Sequence, residues 1–258
     1  MFGLFNKETP KEESHKESKV ENFIDIMPIS EYFKNETGVT FEKQTNILKS
    51  KVTTYCKQKE IYSFEELLNL VKRDSVEKQE LVDYLTTNET FFYREFKQIA
   101  ELVKLVKQSN SNIKILCAPS ATGEEPYSIA IALLEAGVMP NSFHITGIDI
   151  NSDALKKAHK AVYGDRNVRN LTPEIIHKYF LHDGKDYILK DSVKQLTAFK
   201  LANLFDKSFQ SLGKFDFIFS RNMLIYFDKE TKQKAKSILE GMRKESTHDV
   251  FFGHADMF

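Results

Sequence analysis

Two loops that follow β-rich runs carry side chains suited to binding a nucleoside. In the first, the run ILCA continues into PSATGEEPYSIAIALL, where Gly123 leads directly into a helical pattern. A turn of small residues before a helix lets the backbone approach a bound nucleotide or nucleoside closely. Glu124 and Glu125 stand where a pyrophosphate would lie and would repel it. The loop therefore favours a ligand that is uncharged or cationic at this point, although such loops are also common connectors.

Asp149 lies near the end of the second β-rich run, ITGIDIN. A carboxylate at a strand tip, roughly 20 residues beyond a glycine-containing loop, is the usual acceptor for two ribose hydroxyls. Asp149 or Ser152 could equally cap a helix. Taken with the first loop, Asp149 favours a ribose site. An adenosyl group joined to a sulfonium-bearing methionine would satisfy both positions, with its ribose on Asp149 and its cationic amino-acid part near the acidic loop.

Two further segments concentrate polar side chains. The run FDFIFSRNMLIYF places them directly after a buried strand pattern, where open α/β sheets bind ligands. The segment TTNETFFYRE, residues 86–95, sets them among aromatic residues, although its arginine could merely extend along the surface. The polar members are Arg221, Asn222 and Tyr226 in the first segment, and Asn88, Thr90 and Arg94 in the second. We expect the first group to face the ligand cleft and the second to be more than a linker.

The elements that must position these side chains follow residue 95. Short β-rich runs alternate there with amphipathic helical patterns, which predicts a parallel sheet with crossover helices. The predicted strands are 113–118, 143–150, 197–204, 215–220 and 250–253, and the predicted helices are 96–107, 124–136, 152–163 and 229–243. The alternation breaks after Gly164, and a small hairpin is predicted around Tyr187. We therefore predict an α/β domain over residues 96–258 with an inserted β-subdomain at 164–197.

The chain before the sheet domain divides into three parts. Most of residues 1–22 are Lys, Glu, Ser or Asn, which predicts a mobile polar tail. Residues 23–85 show helical spacing and predict a small all-α N-terminal domain, with residues 86–95 as the linker that carries a cofactor or catalytic motif. Residues 34–59, from Lys34 to Lys59, hold six lysines against two glutamates. This predicted Lys-rich helix is either a solvated face or a docking surface for an acidic partner.

The composition and net charge of the chain argue against two classes, nucleic-acid binders and unfolded proteins. The 258 residues carry 37 Lys and Arg against 37 Asp and Glu, and 41% are hydrophobic. Nucleic-acid binders usually show a basic excess, and unfolded chains a large net charge, so we expect a globular protein with no nucleic-acid partner. The sequence has two cysteines far apart and no signal peptide. It also has no apolar run that approaches the roughly 18 residues of a membrane span. These features favour a cytoplasmic protein without membrane insertion. The seven histidines lack ligand spacing, so we predict no metal.

Four stretches, together with GHADMF near the end, resemble the chemotaxis receptor methyltransferases of the CheR type. They are TTNETFFYRE, APSATGEEPYSIAI, GIDINSDALKKA and FDFIFSRNMLIYFD, and the match runs from about residue 86 to 254. The resemblance implies a Rossmann-like methyltransferase domain that uses S-adenosylmethionine, yields S-adenosylhomocysteine, and methylates glutamates on chemoreceptors. Tyr93 stands where the family usually has Phe, and GHADMF replaces a more common GHSE ending.

The resemblance also assigns roles to individual residues. It implies that Arg94 and Tyr226 lie at the methyl-transfer centre, and that the 164–197 subdomain binds a receptor's carboxyl-terminal tail. The residues it places around S-adenosylmethionine are Asn88, Thr90, Arg94, Glu125, Asp149, Asn203, Leu204, Arg221 and Asn222.

Three functions remain open from the sequence. We expect a monomeric protein-glutamate O-methyltransferase. A substrate glutamate with a pKa of about 4.3 is already ionised at neutral pH, so that reaction needs alignment and no general base. A methyltransferase with another substrate is one alternative, although zero net charge weighs against RNA. A catalytically silent scaffold that binds S-adenosylmethionine at receptors is the other.

Overall fold

The computed structural model describes residues 21–86, 89–109, 112–244 and 248–256. Its first part is a helical unit formed by α1 (Met27–Thr37), α2 (Thr45–Gln58), α3 (Phe64–Arg73) and α4 (Ser75–Leu85). Caps separate the last three helices: Ser63 caps α3, and Asp74 caps α4 by accepting from the Val76 and Glu77 amides. Their apolar faces enclose one core. The tail predicted over residues 1–22 lies outside the described residues, except for Glu21 and Asn22.

The Lys-rich segment 34–59 is not the single helix predicted from its composition. Gly38, at φ +77°, ends α1, and a 3-10 turn, Glu42–Gln44, precedes α2. A side chain at position 38 would collide with Phe205 of the sheet domain, so glycine serves both the left-handed turn and the close approach. The lysines of the segment are consequently spread over two helices and a turn.

The second part is an α/β domain. Its elements in chain order are α5 (Phe96–Lys107), β1 (Ile113–Cys117), α6 (Glu124–Glu135), β2 (Phe143–Asp149), α7 (Ser152–Lys160), β3 (Val162–Tyr163), α8 (Asp165–Val168), α9 (Pro173–Tyr179), β4 (Phe180–Asp183), β5 (Asp186–Leu189), α10 (Asp191–Lys194), β6 (Thr197–Leu201), α11 (Lys207–Gln210), β7 (Phe217–Ser220), α12 (Lys229–Gly241) and β8 (Phe251–Phe252). Five strands form a parallel sheet in the order β6-β2-β1-β7-β8. This confirms the predicted α/β, Rossmann-like class, and the five predicted strands match the five observed ones with shorter ends.

A separate three-stranded antiparallel sheet, β3-β5-β4, holds the predicted hairpin. The prediction of a helix over 152–163 is wrong at its end. Ala161 has φ +52° and stops α7, and the next two residues form β3. The Tyr163 ring packs edge-on against Phe92, with centroids 4.9 Å apart, so tertiary packing outweighs the helical spacing. The small sheet thus begins at Val162, ahead of the predicted 164–197 insertion.

The helical unit is fastened to the sheet domain by polar contacts. Asp83 accepts from the Ser152 amide at 2.7 Å, and Gln79 donates to the Ile150 carbonyl at 2.8 Å. At the other end, Lys34 and Asp228 form an ion pair at 2.7 Å. These contacts hold the helical unit over the carboxyl ends of the strands. No helix in the described part of the chain is long and apolar enough to cross a membrane.

Candidate functional site

A cavity of about 970 Å³ lies between the helical unit and the sheet. Residues that follow β1, β2, β6 and β7 line it from one side, and residues 37–44 with α2 line it from the other. The carboxyl ends of parallel strands are where open α/β sheets bind ligands. Most of the predicted site residues line this cavity: Thr90, Arg94, Glu125, Asp149, Asn203, Leu204, Arg221, Asn222 and Tyr226. The remaining one, Asn88, lies outside the described residues.

Asp149 is held at the end of β2 by backbone amides. Its Oδ2 accepts from the Ala121 amide at 2.8 Å, and its Oδ1 accepts from the Asn151 amide at 2.9 Å. Burial raises the pKa of Asp149 to about 6, although these hydrogen bonds act in the opposite direction. The carboxylate is therefore ionised at neutral pH and keeps lone pairs for hydroxyl donors, as a ribose site requires.

The loop after β1 is shaped by Gly123, which has φ +94° and precedes α6. A Cβ there would lie 3.0 Å from the Tyr127 ring and 3.1 Å from Ala158. Only glycine combines this backbone conformation with such close packing. Ser120 and Ala121 of this tight turn line the cavity.

Glu125 and Arg221 form an ion pair between Oε2 and Nε, with side chains 10% and 3% exposed. Arg221 also donates from Nη1 to the Arg94 carbonyl at 2.8 Å. The pair joins the start of α6, the end of β7 and the 86–95 segment. The Oε1 atom of Glu125 is buried without a hydrogen-bond partner among the described residues.

Glu124 does not face the cavity, although the sequence led us to expect both Glu124 and Glu125 there. It is fully buried, accepts from Thr122 Oγ1 and from Asn167 Nδ2 at 2.6 Å each, and does not line the cavity. Burial raises the pKa of Glu124. The expectation that two carboxylates face the ligand is therefore wrong for this one, because a neighbour on the helix points about 100° away from Glu125.

Arg94 and Tyr226 lie at the cavity wall from different segments. Arg94 donates from Nη1 to the Glu89 carbonyl at 3.1 Å, and its guanidinium carbon lies 5.7 Å from the centre of the Phe91 ring. Tyr226 ends the 3-10 turn Leu224–Tyr226, and the residue is 39% exposed. Its carbonyl accepts from the Thr40 amide at 2.9 Å, which ties the turn to the helical unit.

Asn203 and Leu204, which follow β6, differ in what they contact. Asn203 donates from its amide to the Glu36 carbonyl and accepts from the Phe205 amide at 3.0 Å, so much of its hydrogen-bonding capacity holds the two domains together. Leu204 is buried and offers an apolar surface to the cavity. Thus one neighbour fastens the domains and the other supplies apolar lining.

Sequence reasoning missed Asp256, which is 2% exposed and lines the cavity. Its Oδ2 accepts from the amides of Asn222 and Gly253, and Asn222 has φ +60°. Burial raises the pKa of Asp256. The GHADMF motif was visible in the sequence, but nothing in it showed that its aspartate would brace the loop after β7. The lining contributed by residues 37–44 was also missed, because that segment carries no motif.

The cavity fits S-adenosylmethionine. Ligand pockets of small molecules measure about 300–1,000 Å³, and this one has an acceptor for ribose hydroxyls in Asp149. Ser120 Oγ and Glu125 Oε1 are both buried, line the cavity and lack a partner among the described residues. A ligand that carries hydroxyl, amino and carboxyl groups would satisfy polar atoms that the described chain leaves unsatisfied.

Comparison with known proteins gives matches over most of the chain. The family described as CheR methyltransferase, SAM binding domain, matches residues 88–258. A chemotaxis protein methyltransferase of Campylobacter jejuni is 34% identical over 235 residues, covering 90% of this chain and 88% of the relative. Proteins of the same name from Borreliella burgdorferi and Escherichia coli are 30% and 32% identical, covering 86% and 76% of this chain and 84% and 70% of theirs.

Proposed function

Because the chain belongs to the CheR methyltransferase family, we propose that it methylates glutamate side chains on the cytoplasmic helices of chemoreceptors. S-adenosylmethionine is its cofactor, and the products are S-adenosylhomocysteine and glutamyl methyl esters. Ester formation removes one negative charge from the receptor at each site, which is a direct means of adjusting receptor signalling during adaptation. We propose that the protein acts as a monomer in the cytoplasm.

One observation carries this proposal: Asp149 of the cofactor site shares a single cavity with Arg94 and Tyr226. S-adenosylmethionine, when bound, supplies a methyl group on a positively charged sulfur. Asp149 would accept hydrogen bonds from the ribose hydroxyls, and Glu125 Oε1 would face the cationic amino-acid part. The buried Glu125–Arg221 ion pair lies at this end of the cavity.

The acceptor side requires alignment and no proton transfer. A glutamate carboxylate is already ionised near neutral pH, and ester formation leaves no proton to remove. Arg94 would hold the carboxylate by a charge-assisted hydrogen bond, and Tyr226 would donate its hydroxyl to the carboxylate. Such positioning can contribute about 7–11 kcal/mol to lowering the barrier. Arg94 must not bind too strongly, because the carboxylate loses its charge as the ester forms.

Two surfaces are proposed for the receptor. The first is the 34–59 segment, of which Lys43 and Lys51 line the cavity mouth, while Lys34 is engaged by Glu42 and Asp228. Only part of the segment is thus placed to meet a substrate. The second is the small β-subdomain, where β4 pairs with β5 on one side and, among the described residues, with no strand on the other. That edge could accept a receptor tail as an added strand.

The test is methyl transfer from labelled S-adenosylmethionine to purified receptor cytoplasmic fragments. We expect label on the fragment that mild base releases, as an ester requires. Binding of S-adenosylmethionine without transfer to any fragment would instead favour the silent scaffold. Transfer to RNA or to a small molecule in place of the fragment would favour a methyltransferase with another substrate.

A further inference from the structure

Glu124 is a buried carboxyl group next to the cavity-lining Glu125. It is fully buried, and Thr122 Oγ1 and Asn167 Nδ2 donate to its two oxygens at 2.6 Å each. Neither donor is charged, although burying a carboxyl group costs free energy that hydrogen bonds must offset. Glu124 is therefore held in one orientation by two neutral side chains, and one of them comes from outside the loop.

Asn167 lies in α8, at the start of the segment predicted as the inserted subdomain. Both ends of its side-chain amide are engaged, because Oδ1 accepts from the Gly164 amide at 3.2 Å while Nδ2 donates to Glu124. Its backbone carbonyl accepts from the Phe92 amide at 2.8 Å. Asn167 thus contacts the loop after β1 through its side chain and the 86–95 segment through its backbone.

A second contact from the same region holds the turn formed by residues 120–124. Tyr163 of β3 is 4% exposed and donates its hydroxyl to the Thr122 carbonyl at 2.9 Å. On the side of the cavity, the Ala121 amide of this turn donates to Asp149 Oδ2 at 2.8 Å. The 120–124 turn therefore joins the region of β3 and α8 to the carboxylate proposed to bind the ribose.

The Asn167 contact also fixes the start of α6. Glu124 and Glu125 are its first two residues, so their side chains leave the helix about 100° apart. A rotation of this first turn that released Glu124 from Asn167 would also move Glu125 relative to Arg221. The hydrogen bond from Asn167 therefore helps to decide which glutamate is buried and which lines the cavity.

We propose that Asn167 is a positioning residue for S-adenosylmethionine binding, which acts through Glu124 on the 120–124 turn and on the start of α6. Its contact with Phe92 uses the backbone and persists when the side chain is replaced. Substitution of Asn167 should therefore weaken cofactor binding and leave kcat at saturating cofactor nearly unchanged. The inference concerns the cofactor half of the site and does not depend on which acceptor is methylated.

The experiment exchanges hydrogen-bond donor and acceptor between Asn167 and Glu124. The variant N167D sets a second carboxylate against Glu124 but keeps an acceptor for the Gly164 amide. In E124Q/N167D the new amide at position 124 donates to the new carboxylate at position 167, so the contact is restored with nearly the same shape. Calorimetry gives the dissociation constant of S-adenosylmethionine at pH 8, because two neighbouring carboxylates share a proton more readily at lower pH.

We expect N167D to raise this dissociation constant about 3- to 30-fold. The double variant should return to within about twofold of wild type, as coupling between two contacting residues requires. The matched control is N170D, because Asn170 follows three residues later, is exposed and does not line the cavity. Its dissociation constant should stay within about twofold of wild type.

Urea denaturation of each variant separates positioning from a purely structural role. A purely structural role would lower the free energy of unfolding and leave the dissociation constant of the folded protein unchanged. If N167D does not fold, N167S removes the donor without adding a charge, and a smaller rise in the dissociation constant is expected.

The inference is overturned if N167D and N167S bind S-adenosylmethionine as tightly as N170D does. It is also overturned if E124Q/N167D binds as weakly as N167D, because the effect would then not pass through Glu124. A wild-type protein that methylates no receptor fragment would overturn the proposed function, whereas the binding measurements would still decide the role of Asn167.

Discussion

Glu125 and Arg221 form a buried ion pair that links the start of α6 to the end of β7 at the cavity wall. Through the Arg94 carbonyl, the same arginine also holds the segment that carries the proposed acceptor-binding guanidinium. Under the proposed function, cofactor binding and acceptor positioning both depend on this ion pair, and each can be tested by its own substitution.

Removing Arg221 should leave a buried carboxylate without its partner. We expect Arg221→Met to lower the free energy of unfolding by about 3–5 kcal/mol, measured by urea denaturation. The double variant E125Q/R221M should recover most of that loss, because it leaves no buried charge, yet bind S-adenosylmethionine weakly. If the free energy of unfolding of Arg221→Met were within about 1 kcal/mol of the wild-type value, the stabilising role of the Glu125–Arg221 ion pair would be contradicted.

The raised pKa of Asp149 predicts that cofactor affinity depends on pH. With a pKa of about 6, the Asp149 carboxylate, which we propose accepts the ribose hydroxyls, becomes protonated as the pH falls through 6. The dissociation constant should then rise about tenfold per pH unit below that point, measured by calorimetry between pH 5 and 7.5. The stability of the protein without cofactor should change with pH in the opposite direction. Asp149 binds its proton more tightly in the native state than in the unfolded chain. Its contribution to stability therefore falls as the pH rises from 3.8 to about 6. An affinity that stays flat to pH 5 would argue against ribose binding by Asp149.

Asp256 should act by positioning Asn222. We expect Asp256→Ala to lower stability by about 1–3 kcal/mol, because buried amides lose their acceptor, and to weaken cofactor binding. Asp256→Asn keeps an acceptor and should be milder in both measurements. Equal cofactor affinity in wild type and the alanine variant would show that the loop after β7 does not need this brace.

Gly38 and Gly137 make a matched pair, with φ +77° and +79°. A Cβ at Gly137 meets nothing within 4 Å, whereas one at Gly38 collides with Phe205. Gly137→Ala should cost only the left-handed strain of about 1 kcal/mol, and Gly38→Ala should cost a further 1–3 kcal/mol or so from overpacking. Urea denaturation of both variants measures these losses of stability. Equal losses would mean that Phe205 moves aside at little cost and that Gly38 is not required for the domain contact.

The sheet could be predicted because strand patterns are local signals, and small-residue loops and strand-end polar residues pointed to several of the residues that line the cavity. Glu124 shows the limit: its partner Asn167 comes from the inserted subdomain, so only the fold decides which of two adjacent glutamates faces the ligand. The 34–59 segment shows a second limit. Its lysine pattern does not indicate the turn at Gly38, where Phe205 of the sheet domain packs closely against the backbone. Asp256 was missed for the same reason, since its partner Asn222 lies far away in sequence.

Removing the hydroxyl of Tyr226 should affect turnover and not cofactor binding. We expect Tyr226→Phe to lower kcat about 10- to 100-fold, the value of one hydrogen bond to a charged group, with cofactor affinity within about twofold of wild type. Tyr84→Phe is the control, since Tyr84 is similarly exposed and does not line the cavity. An unchanged kcat in the Tyr226 variant would remove this residue from the acceptor site.

The central claim is that the acceptor is a glutamate carboxylate on a receptor helix. Its most direct test is mass-spectrometric mapping of a receptor cytoplasmic fragment after incubation with the protein and S-adenosylmethionine. The account predicts a methyl group on particular glutamates, its loss with release of methanol in mild base, and no methylation when those glutamates are replaced by alanine. A base-stable methyl group, or one on any other residue type, would contradict it.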